Sequence, residues 1–259
     1  MSLAEATPAV VPTFRQRLRE QELILGCFGI ELAAAAVPEA LAQSGFDVLV
    51  VDTEHSAFGL EQVAQLVTAC RAAGLNALVR VSDEARARVT RAADMSPSGL
   101  MFPGIESVAQ ARAAVEVAKY VPLGRRGVCP MLRYERLGEG RYQQLNEELA
   151  LVLQVEGKRG LENAAEIAAV EGVDAIFVRV YDLSHALGLP GQIDHPRVVE
   201  EGRRLRERLP IRTALGVYVA NADMARTWRA IGATFIAYAT DALLLLAGCQ
   251  AAAAVLRES

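Results

Sequence analysis

Five residues that can take part in chemistry lie at or just beyond the ends of short apolar segments: Asp52, His55, Arg80, Glu156 and Asp182. Glu156 and Asp182 are carboxylates without a cysteine partner, which suits a hard cation such as Mg²⁺ or Mn²⁺. Two carboxylates would leave about four of the six positions of Mg²⁺ for water and substrate. We therefore predict a divalent metal site on Glu156 and Asp182.

A metal site of this kind suits the formation of an enolate from a 2-oxo acid. The keto and carboxylate oxygens of the acid can fill two metal positions. The metal then stabilises the charge that develops when a C3 proton or the C3–C4 bond is lost. Arg80 would add a fixed cation beside the developing oxyanion. His55 would shuttle the proton, since histidine exchanges protons readily near neutral pH.

A lysine Schiff base is the other common route to such an enolate. It needs a lysine at a strand end, close to the reacting carbonyl. The chain has two lysines, Lys119 in or just after a predicted helix and Lys158 beyond a strand end. Neither is well placed, and the lysine count therefore favours the metal route.

Each of these residues also has a purely structural interpretation. Asp182 could cap a helix, because Asp-Leu-Ser opens a helical stretch. Arg80 could pair with Asp52 or Glu54, and His55 alone could be structural. The functional interpretation rests on finding these residues together at one place in the fold.

Eight short apolar segments, separated by amphipathic ones, predict that fold. They are apolar without alternation, as expected of strands covered on both faces in a parallel sheet. The predicted strands are residues 23–29, 48–53, 77–81, 99–103, 151–156, 175–180, 214–219 and 235–239. Helical spacing lies between them, for example over residues 61–74 and 106–118.

Eight alternations of strand and helix predict a single α/β domain, a (β/α)8 TIM barrel over residues 1–259, with residues 1–12 as a flexible N-terminus. An open doubly wound sheet is the alternative, but a glycine-rich phosphate loop after the first strand is absent. In a barrel the carboxyl ends of the strands meet at one mouth, where active sites form. The candidate residues would then share that mouth.

Composition narrows the class of partner. The net charge of −4 leaves no basic excess for nucleic acid or an anionic membrane. The chain lacks an apolar run of about 18 residues, and its N-terminus does not resemble a signal peptide. We interpret the four cysteines as buried small side chains in a reducing, cytoplasmic compartment: Cys27, Cys70, Cys129 and Cys249. The Gly- and Pro-rich stretch 121–148 is predicted to be a long functional loop.

Several motifs together resemble the HpcH/HpaI class II aldolases, metal-dependent pyruvate aldolases that act on hydroxy-oxo dicarboxylates and sugar acids. The resemblance spans residues 14–250. Its motifs, in order, are GFDVLVVDTEH, ALVR, GRRGV, LVLQVEGKRGLEN, YDLSHALGLPGQIDHP and GATFIAYATDALLL. It implies a barrel of the phosphoenolpyruvate- and pyruvate-binding type. It also implies a carbon–carbon lyase that works through a pyruvate enolate on 4-hydroxy-2-oxo acids or 2-keto-3-deoxy sugar acids.

The resemblance implies a role for each matching residue. Glu156 and Asp182 would bind Mg²⁺, Mn²⁺ or Co²⁺, and Arg80 would hold the keto oxygen of the 2-oxo acid. His55 would move protons through water, paired with Asp94 of a neighbouring subunit. The small-molecule partners would be a 2-oxo acid and an aldehyde.

Three further implications concern the pocket and the assembly. Asp52 would support the strand that carries the histidine, and Gln154 would contact pyruvate. Phe28 stands where the family usually has tryptophan. The family forms trimers or hexamers with an exchanged C-terminal helix, here residues 241–256, whose apolar faces suit burial against a partner. A homo-oligomer is therefore expected.

The sequence departs from the family beside the second metal ligand. The family usually has Gly-Pro-Ala before Asp-Leu-Ser, and this chain has Arg179, Val180 and Tyr181. We hypothesise that Arg179 or Tyr181 contacts an extra carboxylate or phosphate of the substrate. The alternative is that Arg179 points outward and pairs with an acidic residue, because strand residues alternate in direction.

Three alternative functions stay open at this stage. The enolate could arise by decarboxylation of oxaloacetate and be captured by another acceptor, as in macrophomate synthase. A CoA-ester lyase is a more distant relation. A barrel that survives as a catalytically inactive binding protein would have lost the metal carboxylates, and both are present here.

Overall fold

A closed barrel of eight parallel strands forms the centre of the protein. The computed structural model describes residues 12–83, 85–129 and 140–257. The strands are β1 (Ile24–Gly29), β2 (Val48–Asp52), β3 (Asn76–Arg80), β4 (Gly99–Phe102), β5 (Ala150–Val155), β6 (Ala175–Val178), β7 (Ala214–Val219) and β8 (Phe235–Thr240). They pair in chain order, and β8 pairs with β1. The prediction of a TIM barrel is confirmed.

Helices cover the outside of the barrel. Within the described residues they are α1 (Phe14–Arg19), α2 (Ala36–Gln43), α3 (Leu60–Ala72), α4 (Arg86–Asp94), α5 (Val108–Ala118), α6 (Arg141–Glu148), α7 (Gly157–Glu162), α8 (Ala164–Ala168), α9 (Val180–Ala186), α10 (Pro196–Arg208), α11 (Ala222–Ile231) and α12 (Asp241–Arg257). The two helices predicted from apolar spacing correspond to α3 and α5. None of the helices in the described residues is long and apolar enough to cross a bilayer.

Two sequence-based boundaries were wrong. The predicted strand over residues 175–180 ends earlier, because α9 begins at Val180 and Arg179 is the residue between strand and helix. The predicted loop over residues 121–148 contains the helix α6. This helix begins after Gly140, whose own backbone is in the left-handed conformation. Residues 130–139 of that stretch, and residues 1–11 of the predicted N-terminus, lie outside the described residues.

The prediction that all four cysteines are buried was wrong for two of them. Cys27 and Cys70 are buried, whereas Cys129 and Cys249 are exposed. Cys249 lies on α12, whose Leu245 and Leu246 are also more than half exposed in this single chain. Burial of a cysteine follows the packing of its element and cannot be inferred from its residue type alone.

A column of aromatic rings fills the barrel axis. Phe14 of α1 contacts Phe235 with 6.1 Å between ring centroids, and Phe235 contacts Phe177 at 5.4 Å. Phe177 contacts Phe28 at 6.0 Å. Gly216 makes room for this column, since a Cβ there would lie 2.6 Å from the ring of Phe177. The rings form a solid floor, so the mouth above Phe28 is a shallow site on a packed core.

Lys119 lies at the opposite end of the barrel from the mouth. Its fully buried ammonium donates hydrogen bonds to the backbone carbonyls of Asn146, at 2.6 Å, and of Leu149, just before β5. Burial and, to a smaller extent, the charge of nearby Arg15 lower the pKa of Lys119 to about 7, against the opposing effect of Asp174. Lys119 is therefore structural, in agreement with the argument against a Schiff base.

We expect Lys119 to make the protein more stable as pH rises from about 7 towards 10. The unfolded lysine keeps its proton in this range while the buried amine has lost it, so the unfolded state binds more protons. The free energy of unfolding should gain up to about 1.4 kcal/mol per pH unit from this group. Urea unfolding of the wild type and of Lys119→Met at several pH values measures the difference in slope. If the free energy of unfolding had the same pH dependence in the two proteins, a buried, uncharged Lys119 would be contradicted.

Candidate active site

Arg80 and Asp52 form a buried ion pair at the centre of the mouth. They are the last residues of the adjacent strands β3 and β2, and the parallel register places them side by side. Arg80 Nε donates to Asp52 Oδ1 at 2.9 Å, and Nη2 donates to Asp52 Oδ2. Asp52 is fully buried and Arg80 is nearly so. The two-point pairing fixes the plane of the guanidinium.

Three more groups surround the guanidinium of Arg80. Its Nη1 lies 3.4 Å from Gln154 Oε1 and 3.1 Å from Glu54 Oε2. Its Cζ lies 5.0 Å from the centroid of the Phe28 ring. Arg80 is thus held between anions and an aromatic floor. The structural interpretation, that Arg80 pairs with Asp52 or Glu54, is also correct, and it is what orients the guanidinium.

Asp52 also shapes the loop that carries His55. Its Oδ1 accepts hydrogen bonds from the backbone N–H of Glu54, at 2.8 Å, and of His55, at 3.4 Å. The imidazole is half exposed, and its Nε2 lies 3.7 Å from Glu54 Oε2. The support of the histidine segment that the resemblance implies for Asp52 agrees with this geometry. A half-exposed imidazole can exchange protons with water.

Glu54 contacts both the arginine and the histidine, and sequence reasoning did not include it among the site residues. It stands one residue before His55, at the same strand end. Its Oε2 is buried, and none of the described residues donates a hydrogen bond to it. The Asp-x-Glu-His motif could have indicated this role, because an acidic residue next to the histidine lies at the same mouth.

Gln154 connects the arginine to the predicted metal ligands. It is fully buried near the end of β5. Its Oε1 faces Arg80 Nη1, while its Nε2 donates to Oε1 of Glu156, the residue after the strand. The amide of Gln154 therefore fixes the guanidinium of Arg80 and the carboxylate of Glu156 relative to each other.

Glu156 and Asp182 lie near one another, with Arg179 between them. Arg179 Nη1 is 3.8 Å from Glu156 Oε1, and its Nε is 3.1 Å from Asp182 Oδ2. The alternative for Arg179 was therefore correct in expecting a pairing with an acidic residue and wrong in expecting an outward direction, away from the mouth. Because α9 starts at the following residue, the simple alternation of a strand does not apply to Arg179.

Burial raises the pKa of Glu156. The charge of Arg179 lowers this pKa, whereas the carboxylates of Asp182 and Glu54 raise it, and the hydrogen bond from Gln154 lowers it. The net shift is upward because the effect of burial outweighs the stabilisation of the carboxylate by Arg179 and Gln154. Glu156 and Asp182 share the single positive charge of Arg179, so the site can accept additional positive charge.

These residues fit a hard divalent cation. Both carboxylates are partly exposed towards the mouth, and Asp182 Oδ2 is a buried acceptor without a hydrogen bond. Their donor atoms are all oxygens. In the described part of the chain, no three His, Cys, Asp or Glu side chains are grouped as a metal site. The two carboxylates would leave about four of the six positions of Mg²⁺ for water and substrate.

An aromatic wall stands beside the arginine. Tyr218 of β7 packs against Phe28, with 6.0 Å between ring centroids. Burial raises the pKa of Tyr218, and neighbouring Tyr181 raises it further. Tyr181 itself is 43% exposed and faces solvent at the rim. Sequence reasoning missed Tyr218, although a polar aromatic residue near the carboxyl end of a barrel strand is a sign of a pocket wall.

Asp94 does not join this cluster within its own chain. It is the last residue of α4, which leads towards the amino end of β4, and it pairs with Arg126 Nη2 at 2.6 Å. The contact with His55 across a subunit boundary therefore stays a prediction.

Comparison with known families decides the classification. The sequence model of the family described as HpcH/HpaI aldolase/citrate lyase matches residues 25–247, most of the chain. The chain belongs to the HpcH/HpaI aldolase/citrate lyase family. The predicted family membership is confirmed, and with it, at the level of the family, the prediction of a carbon–carbon lyase.

Relatives support this membership in sequence and in structure. A 2-keto-3-deoxy-L-rhamnonate aldolase of Escherichia coli strain K12 is 32% identical over 238 residues, covering 89% of this chain and 88% of the relative. An HpcH/HpaI aldolase/citrate lyase family protein from Burkholderia cenocepacia J2315 is 34% identical. It covers 94% of this chain and 98% of its own, with a TM-score of 0.85.

A third relative shows that the whole barrel is shared. The HpcH/HpaI aldolase from Desulfitobacterium hafniense DCB-2 superposes with a TM-score of 0.86 at 28% identity. The match covers 96% of this chain and 98% of that one. Members of the family therefore share the architecture that brings Arg80, Glu156 and Asp182 to one mouth in this chain.

Proposed function

We propose that this chain is a divalent-metal-dependent aldolase that cleaves 2-keto-3-deoxy sugar acids or related 4-hydroxy-2-oxo acids to pyruvate and an aldehyde. The observation that carries the proposal is the array of Arg80, Gln154 and Glu156, joined by one buried amide. The 32% identical relative is named for such a substrate. Retro-aldol cleavage needs a stabilised enolate, and the array supplies groups suited to it.

Glu156 and Asp182 would hold Mg²⁺, Mn²⁺ or Co²⁺. When bound, the cation would draw charge from the 2-oxo group and make the enolate accessible. Arg80 donates from a fixed plane to the keto oxygen, where negative charge develops. Because Asp52 already orients the guanidinium, little reorganisation is needed during the reaction.

His55 would move the proton at the hydroxyl of the substrate. Its ring is half exposed, so a water molecule can relay protons between the ring and the substrate. Phe28 closes the floor under the reacting carbons and excludes water from that side. Tyr181 is exposed at the open side of the mouth, and Arg179 lies between Glu156 and Asp182. The aldehyde part of the substrate, and any carboxylate or phosphate on it, would lie near these two residues.

We infer a homo-oligomer, a trimer or hexamer in which α12 packs against a neighbouring subunit. Leu243, Leu245 and Leu246 of α12 are 46%, 57% and 51% exposed in the single chain. Exposed leucines on one helix suit burial in a protein interface. The carboxylate of Asp241 accepts a hydrogen bond from the backbone N–H of Leu32 at 2.8 Å, and this contact anchors the start of the helix. A cytoplasmic location also stays a prediction.

Pyruvate release tests the proposed function. With Mg²⁺ or Mn²⁺ present, the enzyme should form pyruvate from a 2-keto-3-deoxy sugar acid, followed through a lactate dehydrogenase assay. Removal of the metal with EDTA should stop the reaction, and added metal should restore it. Folded, metal-loaded protein that cleaves neither 2-keto-3-deoxy sugar acids nor 4-hydroxy-2-oxo acids would overturn the proposal.

A further inference from the structure

Arg179 occupies the space between the two carboxylates that would hold the metal. It follows β6 directly and is the N-cap residue of α9, with an extended backbone. From there its guanidinium reaches Glu156 across the rim and Asp182 one turn along the helix, at 3.8 Å and 3.1 Å. A cation that binds both carboxylates would have to share this space with the guanidinium.

The contacts of Arg179 are those of a replaceable counter-ion. The 3.1 Å approach to Asp182 Oδ2 lacks hydrogen-bond geometry, since none of the described residues, Arg179 included, donates a hydrogen bond to that oxygen. The 3.8 Å contact with Glu156 is an ion pair only. The side chain is 36% exposed, so it can swing towards solvent without breaking a buried network. Arg80, by contrast, is locked by its two-point pairing with Asp52.

The charge balance favours a divalent ion over Arg179. Glu156 and Asp182 carry two negative charges, and Arg179 supplies one positive charge against them. A divalent ion would supply two and would approach the oxygens more closely than a guanidinium does. Displacement of Arg179 is therefore favourable, although the energy of its ion pairs is subtracted from the binding of the metal.

We propose that Arg179 is an internal competitor of the divalent cation and sets the metal affinity of this site. The guanidinium neutralises Glu156 and Asp182 when no metal is bound, and it moves to the open side of the mouth when the metal enters. This inference rests on the proposed metal site. It concerns an equilibrium between two cations for the same two carboxylates and involves no covalent step.

Titration with Mn²⁺ in the absence of substrate tests the inference. The electron paramagnetic resonance signal of free Mn²⁺ gives the dissociation constant. Arg179→Gln should bind Mn²⁺ on the order of tenfold more tightly than the wild type, because one competing charge is lost from a partly screened site. Arg179→Lys keeps the charge and should remain nearer to the wild type.

Two control variants make the result specific. Lys158→Gln removes the same charge from an exposed position on α7, where the lysine pairs with Glu162, and its Mn²⁺ affinity should stay within about twofold of the wild type. Glu156→Gln should lose the binding. Equal, Glu156-dependent binding by the wild type and Arg179→Gln would overturn the competition and leave the proposed function standing. Absence of binding in both, with native circular dichroism, would overturn the metal site itself and the competition with it.

Discussion

Glu156→Gln should reduce the rate of pyruvate formation by about a thousandfold or more and should weaken metal binding to the same site. The amide keeps the size of the side chain, but it removes one of the two carboxylates proposed to hold the cation. A bound metal contributes several kcal/mol of charge stabilisation in the transition state, and each 1.4 kcal/mol corresponds to about tenfold in rate. Steady-state kinetics at saturating Mg²⁺ measures the loss.

The matched control for this variant is Glu162→Gln. Glu162 lies on α7, is 60% exposed and pairs with Lys158. It carries the same charge as Glu156 and lies only six residues away, but its partner is the exposed Lys158. Its replacement should leave kcat nearly unchanged. A Glu156→Gln enzyme that keeps most of its activity would remove Glu156 from the reaction.

Arg80 should show the second large effect, and two substitutions separate its two roles. Arg80→Met leaves the carboxylate of Asp52 buried without its partner, and this should lower the free energy of unfolding by about 3–5 kcal/mol. Arg80→Lys keeps a charge but cannot pair with Asp52 at two points and reach Gln154 as well. Its kcat should fall by about a hundredfold to a thousandfold, as for the loss of a fixed donor to an oxyanion.

Urea unfolding measures the first role and steady-state kinetics the second. Arg88→Lys is the control, because Arg88 is 61% exposed and pairs with Asp83 at the surface. That variant should match the wild type in both measurements. Normal kcat in Arg80→Lys would show that a point charge is enough and that the fixed plane of the guanidinium has no part in the chemistry.

The barrel could be predicted from the sequence because its strands are buried on both faces. Segments such as 214–219 and 235–239 consist almost wholly of apolar residues, and all eight predicted strands agree with the observed ones within two residues at each end. The parallel arrangement then places the strand ends at one mouth. The grouping of Arg80, Gln154 and Glu156 follows from that arrangement, as the sequence analysis expected.

Sequence patterns did not predict the contacts between side chains of different elements. The direction of Arg179 depends on where β6 ends and α9 begins, because the alternation of side chains holds only within the strand. Glu54 and Tyr218 join the site through contacts across the barrel, to Arg80 and Phe28. Their residue types permit this but do not require it.

Proton exchange on the methyl group of pyruvate in D₂O tests the central claim most directly, since it requires no knowledge of the aldehyde. We expect NMR to show loss of the methyl proton signal with wild-type enzyme and Mg²⁺. The loss should stop with EDTA and in Glu156→Gln. Exchange that continues without metal, or no exchange by folded, Mg²⁺-loaded wild-type enzyme, would contradict metal-assisted enolisation at this mouth.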